Sequence, residues 1–183
     1  MKTIVVGNSP HLLQTSRGKN IDNFDIVIRT GNFVLNEFKQ YTGEKTSIWC
    51  NRWNKILDHT SAENILHDVS QVWLSDIDRR EFDREPNDYI NHVNKKIQIK
   101  YFSRNLLTAN LYQYEPTLGL MSILMAQDMY SDHDLYITGF GLDINSNDFI
   151  GTYWNQQYTR RTKESHHSFL RESILIKKMI HSN

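Results

Sequence analysis

An α/β domain built on a mainly parallel sheet is what this sequence predicts, and two patterns predict it. Short runs of β-branched and aromatic residues read as buried strands: Thr3 to Val6, Asp25 to Arg29, Ser47 to Cys50 and Leu135 to Phe140, with Gln71 to Asp76 and Ile97 to Ser103 as further candidates. Between them lie helical patterns, most clearly Thr117 to Tyr130 and Glu164 to Ile180, where apolar residues return every three or four positions. Strands alternating with helices give a layered, Rossmann-like arrangement with helices on both faces of the sheet. A chain of 183 residues buries roughly 70% of the surface its unfolded form exposes, so one core suffices and a single domain over residues 1–183 is expected.

Composition narrows the partners. Lys plus Arg and Asp plus Glu both number 21, so no net field favours a polyanion, and nucleic acid is set aside. One cysteine, Cys50, makes no internal disulfide, which fits a reducing compartment or a fold that needs no staple, and a cytoplasmic location is the default expectation. The opening MKTIVVGN is too short and too polar for a signal core or a membrane span, so no membrane anchor is expected in this chain. No repeat or Pro/Gly/Ser linker interrupts the pattern; the polar stretch Asp78 to Lys96 is the best candidate for an insertion or lid, its charges forming a solvated face.

Ligands of open parallel sheets bind beyond the carboxyl ends of the strands, where helix N-termini offer free N–H groups. The first strand stops at Gly7-Asn8-Ser9-Pro10. Gly7 allows close backbone approach, Asn8 or Ser9 can cap the next helix, and Pro10 suits its first turn. The same side chains could instead meet a nucleotide. Neither G-x-G-x-x-G nor the P-loop pattern occurs, which disfavours ordinary NAD or ATP binding. Arg29, near the end of the second strand, is expected to pair with Asp22 or Asp25. Thr117 after Pro116 is a plausible N-cap, and Gly119 in the first turn exposes backbone amides ahead of the core-facing Leu120, Ile123 and Leu124. The strand that follows ends in Gly139-Phe140-Gly141, another place for close approach. In SHHSFLRE, His167 and Glu172 are five apart, about 140° round a helix, which suits no shared metal. A neutral histidine ahead of a helix N-terminus can serve as a base.

These segments, in this order, resemble the sialylmotifs of the sialyltransferases. The large motif is similar to VVGNSPHLLQTSRGKNIDNFDIVIRTGNF followed by TGEKT, the small motif to PTLGLMSILMAQDMYSDHDLYITGFG, and the very small motif, His-x4-Glu, to His167 through Glu172. TYWN, Thr152 to Asn155, resembles the family's aromatic motif; residues 52 to 114 are unmatched. The resemblance implies a GT-A-like variant of the α/β fold. It also implies an inverting, metal-independent glycosyltransferase that moves sialic acid, or a related acid such as Kdo, from a CMP-sugar to a glycan hydroxyl. By that analogy Gly7, Asn8, Ser9 and Asn32 contact the nucleotide, and Thr117, Leu118 and Gly119 line the cytidine or carboxylate pocket. His167 would be the general base. Tyr153, with Tyr158 and His166, would stabilise the leaving phosphate, and Arg29 and Glu172 would support the site.

Three motifs depart from the family pattern: RTGN has Gly31 ahead of Asn32, TLG lacks one hydroxyl, and TYWN carries Thr152 where a histidine is usual. Two other functions remain open. Asp76 and Asp78 form a D-x-D, the pattern by which many nucleotide-sugar transferases hold a divalent cation, and a nucleotide-binding module without turnover would keep the same folds of chain. Which CMP-sugar, which acceptor and which oligomeric state are not legible.

Overall fold

The computed structural model describes residues 1–52, 62–75, 86–102, 116–141, 152 and 169–181. Six strands make one sheet: β1 (Lys2–Val6), β2 (Ile26–Thr30), β3 (Ile48–Arg52), β4 (Gln71–Ser75), β5 (Gln98–Phe102) and β6 (Asp134–Thr138). Their order is β5-β4-β3-β2-β1-β6, and every neighbouring pair is parallel. All six predicted strands are present. The last ends two residues before the expected Phe140, because Gly139 takes φ +73°, a left-handed conformation that breaks the ladder.

Parallel neighbours need crossovers, and the right-handedness of crossovers fixes which face each helix covers. From β1 to β5 the chain steps one way across the sheet. A 3-10 turn (Pro10–Gln14) and helices α1 (Gly18–Asp22), α2 (Lys39–Thr42), α3 (Ala62–Asp68) and α4 (Pro86–Val93) supply those connections. Reaching β6 on the far side of β1 reverses the direction, so α5 (Leu118–Met129) lies on the opposite face, joined there by α6 (Phe169–His181).

Strand side chains alternate accordingly. Val6, Val27, Trp49 and Leu74 enter one core with Leu66 and Ile90; Val5, Ile28, Cys50 and Trp73 enter the other with Leu120, Ile123 and Ile176. Both faces being covered explains why β1 to β4 are buried over most of their length, whereas the edge strands β5 and β6 carry the exposed Tyr101 and Tyr136.

The expected lid is corrected in part. Within Asp78 to Lys96, α4 places Ile90 fully inside the core, and Asn94 Nδ2 donates to Leu66 O at 3.0 Å, so this portion is a packed crossover helix. Asp78 to Glu85 lie outside the described residues, as do residues 164–168 of the last predicted helix.

Trp49 couples this core to the strand ends. Its ring is fully buried and meets Phe33 edge-on at 6.0 Å, while its Nε1 donates to Gly31 O at 2.8 Å. Trp49→Phe keeps most of the apolar contact but leaves that carbonyl unpaired, so a loss of about 2 kcal/mol in urea unfolding is expected. An unchanged midpoint would show the bond to be dispensable.

Candidate functional site at the carboxyl edge of the sheet

β1 is where strand order reverses, so the crevice between the carboxyl ends of β1 and β6 is the switch point of the sheet. The chain closes on itself there. Gly7 N donates to Thr138 O and Ser9 N to Gly139 O, both at 2.8 Å. A Cβ on Gly7 would lie 2.4 Å from Gly139 O and 3.2 Å from the Phe140 ring. Close approach at Gly7 was expected, and what approaches is the β6 loop of this same chain. Phe140 also lies against Gly119, where a Cβ would sit 2.8 Å from the ring. The buried Ser9 accepts from His11 N at 3.3 Å and caps the 3-10 turn, with Pro10 in its first position.

One strand further on, Asn8 Nδ2 donates to Thr30 O at 2.7 Å and ties the β1 loop to the end of β2. Its Oδ1 has no protein partner among the described residues. Gly31 follows with φ +64°; a Cβ there would stand 3.5 Å from Asn8 Nδ2 and 3.9 Å from Leu118 Cδ2. The large-motif and small-motif segments therefore meet across this glycine. Asn32 Oδ1 accepts from Asn51 Nδ2 at 2.9 Å, and Asn51 Oδ1 in turn accepts from Arg52 N at 2.8 Å. Asn51 is almost wholly buried and was missed in the sequence; the available signal was a polar residue ending the apolar run IWCN.

Arg29 is buried, but its expected partners lie elsewhere. Its Nη2 donates to Thr42 O at 2.8 Å, its Nε to Lys45 O and Thr46 Oγ1 at 3.1 Å, and its guanidinium lies 5.6 Å from the Phe33 ring centre. Asp22 Oδ1 instead accepts from Glu44 N and Lys45 N, at 2.9 and 2.8 Å, and Asp25 Oδ2 from Lys2 N at 2.7 Å. The physical reason is the turn after α2, whose two free amides face Asp22, while the carbonyls of the same turn face Arg29. Arg29 thus fastens the loop before β3 to β2.

At the start of α5, Thr117 has extended backbone and caps the helix, its Oγ1 accepting from Leu120 N at 3.2 Å. Glu172, 5% exposed on α6, grips the same residue from outside. Thr117 N donates to Oε1 at 2.6 Å and Thr117 Oγ1 to Oε2 at 2.5 Å. Burial pushes the Glu172 carboxyl up to about 7, against the lowering effect of the two Thr117 bonds. Of the first amides of α5, Thr117 N and Leu120 N are occupied, whereas Leu118 N and Gly119 N have no protein partner among the described residues. Two free N–H groups beside Asn8 and Gly31 suit an anion.

The structure thus gathers Gly7, Asn8, Ser9, Asn32, Thr117, Leu118 and Gly119 at one edge, with Arg29 and Glu172 bracing it from below. The Thr117 hydroxyl proton is committed to Glu172, which corrects its expected availability to a ligand when that carboxyl is ionised. His166, His167, Tyr153, Tyr158, Asp76 and Asp78 lie outside the described residues. Thr152 is described and buried.

A parallel sheet wound on both faces, with a polar edge at its switch point, is the doubly wound class of α/β domain, in which ligands bind beyond the carboxyl ends of the strands. Comparison with known proteins narrows it. Residues 1–72 match the model of glycosyltransferase family 29 (sialyltransferase). The chain is 28% identical, over 76% of its length, to sialyltransferase-like protein 2 of Arabidopsis thaliana, of which it spans 30%. It is 26% identical, over 98% of its length, to CMP-N-acetylneuraminate-beta-galactosamide-alpha-2,3-sialyltransferase 4 of Mus musculus, of which it spans 61%. The crystal structure of a mammalian sialyltransferase superposes with a TM-score of 0.68 at 19% identity, covering 98% of this chain and 66% of that one. Family model and relatives point the same way, to a likeness with the sialyltransferases, and the superposition shows that the fold is shared. No helix among the described residues is long and apolar enough to cross a membrane, and the relatives lend no support to the cytoplasmic placement expected from Cys50.

Proposed function

We propose that this chain is an inverting sialyltransferase, moving sialic acid or a related acid such as Kdo from a CMP-sugar to a hydroxyl of a glycan acceptor without a metal ion. The observation that carries this is the meeting at one edge of Asn8, Gly31 and the Leu118 and Gly119 amides, which have no protein partner among the described residues, because these come from separate motifs of the resemblance. The mouse relative's name specifies CMP-N-acetylneuraminate and a beta-galactosamide, which supports the donor and acceptor classes proposed here.

In this reading Asn8 Oδ1 accepts from the nucleotide, while the α5 amides face the donor's phosphate or carboxylate. His167, five residues ahead of Glu172, takes the proton of the acceptor hydroxyl as that oxygen attacks the anomeric carbon and CMP leaves. A placed base contributes roughly 10²–10⁴-fold. Charge on the leaving phosphate is met by N–H donors and by Tyr153, Tyr158 and His166, a placement of donors where charge develops.

The test is calorimetric titration with CMP, CDP and UDP in the absence of metal. Selective CMP binding is expected, weakened in Asn8→Ala by at least about 1 kcal/mol, the scale of one hydrogen bond. Turnover of a CMP-sugar that is lost in His167→Ala completes it. Metal-dependent preference for UDP would move the chemistry to Asp76 and Asp78, and CMP binding without turnover would leave a binding module.

A further inference from the structure

Thr117 has one hydroxyl proton and two neighbours that fix where it goes. Leu120 N already donates to Oγ1 at 3.2 Å, so the proton is free to point only at Glu172 Oε2, 2.5 Å away, or away from it towards the edge of the sheet. Glu172 decides between the two. As a carboxylate it can only accept, and it draws the hydroxyl proton inward. As a carboxylic acid it donates its own proton from Oε2 to Thr117 Oγ1, and the threonine proton is released to donate elsewhere. The bond from Thr117 N to Oε1, 2.6 Å, persists in both states, so the backbone clamp does not depend on which form is present.

The edge that the hydroxyl would turn towards is also where Leu118 N and Gly119 N stand without a protein partner among the described residues. A third donor there helps an anion, while an ionised carboxylate just behind Thr117 opposes one. We propose that Glu172 is a positioning residue which, on taking a proton from solvent, turns the Thr117 hydroxyl into a donor for the anionic group of the bound nucleotide, so that nucleotide binding and proton uptake are coupled. This rests on the donor site proposed above and adds to it a role for the glutamate of the His-x4-Glu motif.

The surroundings of Glu172 make it the group to titrate. Among the described residues both of its hydrogen bonds are to Thr117, and it is 5% exposed. Burial pushes it up to about 7, within reach of ordinary assay pH. The charged groups of the elements packed against it stand apart. On α5 the single charged residue, Asp128, is in the last turn, about 16 Å along the axis from Thr117. Tyr130, His133, Asp134 and Tyr136, around the start of β6, line a groove with Ile176, Met179 and Ile180, the far end of α6. The Cys50 thiol faces Ser122. On α6 itself Arg171 and Lys178 are exposed and Lys177 is partly so.

The test uses the whole chain and CMP as the probe. Titrations at pH 7 in two buffers of different ionisation enthalpy count the protons taken up on binding. The native protein is expected to take up about half a proton more than Glu172→Gln, since a group with its midpoint near 7 is half protonated there. Between pH 6 and 8 the native affinity is expected to fall about tenfold more than that of the glutamine variant, whose amide mimics the acid by donating to Thr117 Oγ1. Taking differences against the variant removes the titration of the CMP phosphate and of the histidines. If Glu172→Gln folds poorly, Thr117→Val should abolish the same proton uptake and Thr117→Ser should restore it. Equal proton counts in native and variant proteins overturn the proposal while leaving the donor site intact. No CMP binding by any of them at any pH overturns the donor site, and the proposal with it.

Discussion

Gly7→Ala is expected to lower stability by about 3–5 kcal/mol and to remove CMP binding. The argument is steric alone, since Gly7 is not among the glycines with positive φ and alanine could adopt its backbone conformation. A methyl group there would stand 2.4 Å from Gly139 O and 3.0 Å from Gly139 C, atoms of another strand's backbone that have no rotamer to escape into. Relief requires the β1 and β6 ends to part. That breaks the bonds from Gly7 N to Thr138 O and from Ser9 N to Gly139 O, each contributing about 1 kcal/mol, and adds the overpacking cost of about 1–3 kcal/mol. The shift also moves Phe140, which rests on Gly119, and so displaces the first turn of α5. Glycine to alanine at an unstrained site stabilises by about 0.4–1 kcal/mol, so even the sign of the change in a urea titration decides the matter. A variant within 1 kcal/mol of the native protein, still binding CMP, would show that the β1–β6 junction gives way freely.

How far the sequence foretold this arrangement depends on the range of the interaction. The strands were legible because a sheet covered on both faces needs consecutive apolar residues, and VVIVI-like runs have few other uses. The start of α5 was legible because Pro-Thr before a helical pattern is a local capping signal, and the cap is there. What local pattern could not show is which distant group meets a given side chain. Thr117 and Glu172 are 55 residues apart, and only the packing of α6 beside α5 joins them. Arg29 was assigned an acidic partner because a buried cation usually has one; three oxygens of the turn between α2 and β3 took that place, and no spacing rule announces such a cradle. Asn51 went unnoticed for the same reason: its bond to Asn32 spans two strands. The motif resemblance draws on whole segments instead of local pattern, and the residues it names within the described part lie near one another at the carboxyl edge of the sheet.

The difference in stability between the native protein and Glu172→Gln is expected to shift with pH by about 2–3 kcal/mol between pH 5 and pH 8, in favour of the glutamine at the alkaline end. The sign follows from linkage. The folded-state midpoint of Glu172, about 7, lies above the ordinary value of 4.5, so between those pH values the native state holds a proton that the unfolded chain has released. Stability contributed by this group is therefore full below pH 4.5 and is lost as pH rises towards and through 7, after which the difference levels off. Glutamine carries no charge at any pH, keeps an oxygen for Thr117 N and offers an N–H to Thr117 Oγ1, so it avoids the buried carboxylate without releasing the clamp. Urea unfolding of both proteins at intervals across this range measures the difference directly, and other titrating groups cancel because they are common to both. A difference that stays flat would mean that the carboxyl ionises as readily in the folded chain as in water. The predicted slope instead means that the fold tolerates a costly carboxyl at the head of α5, where a neutral amide would serve packing at least as well; stability alone would not select it, and a proton-dependent role at the proposed nucleotide site would.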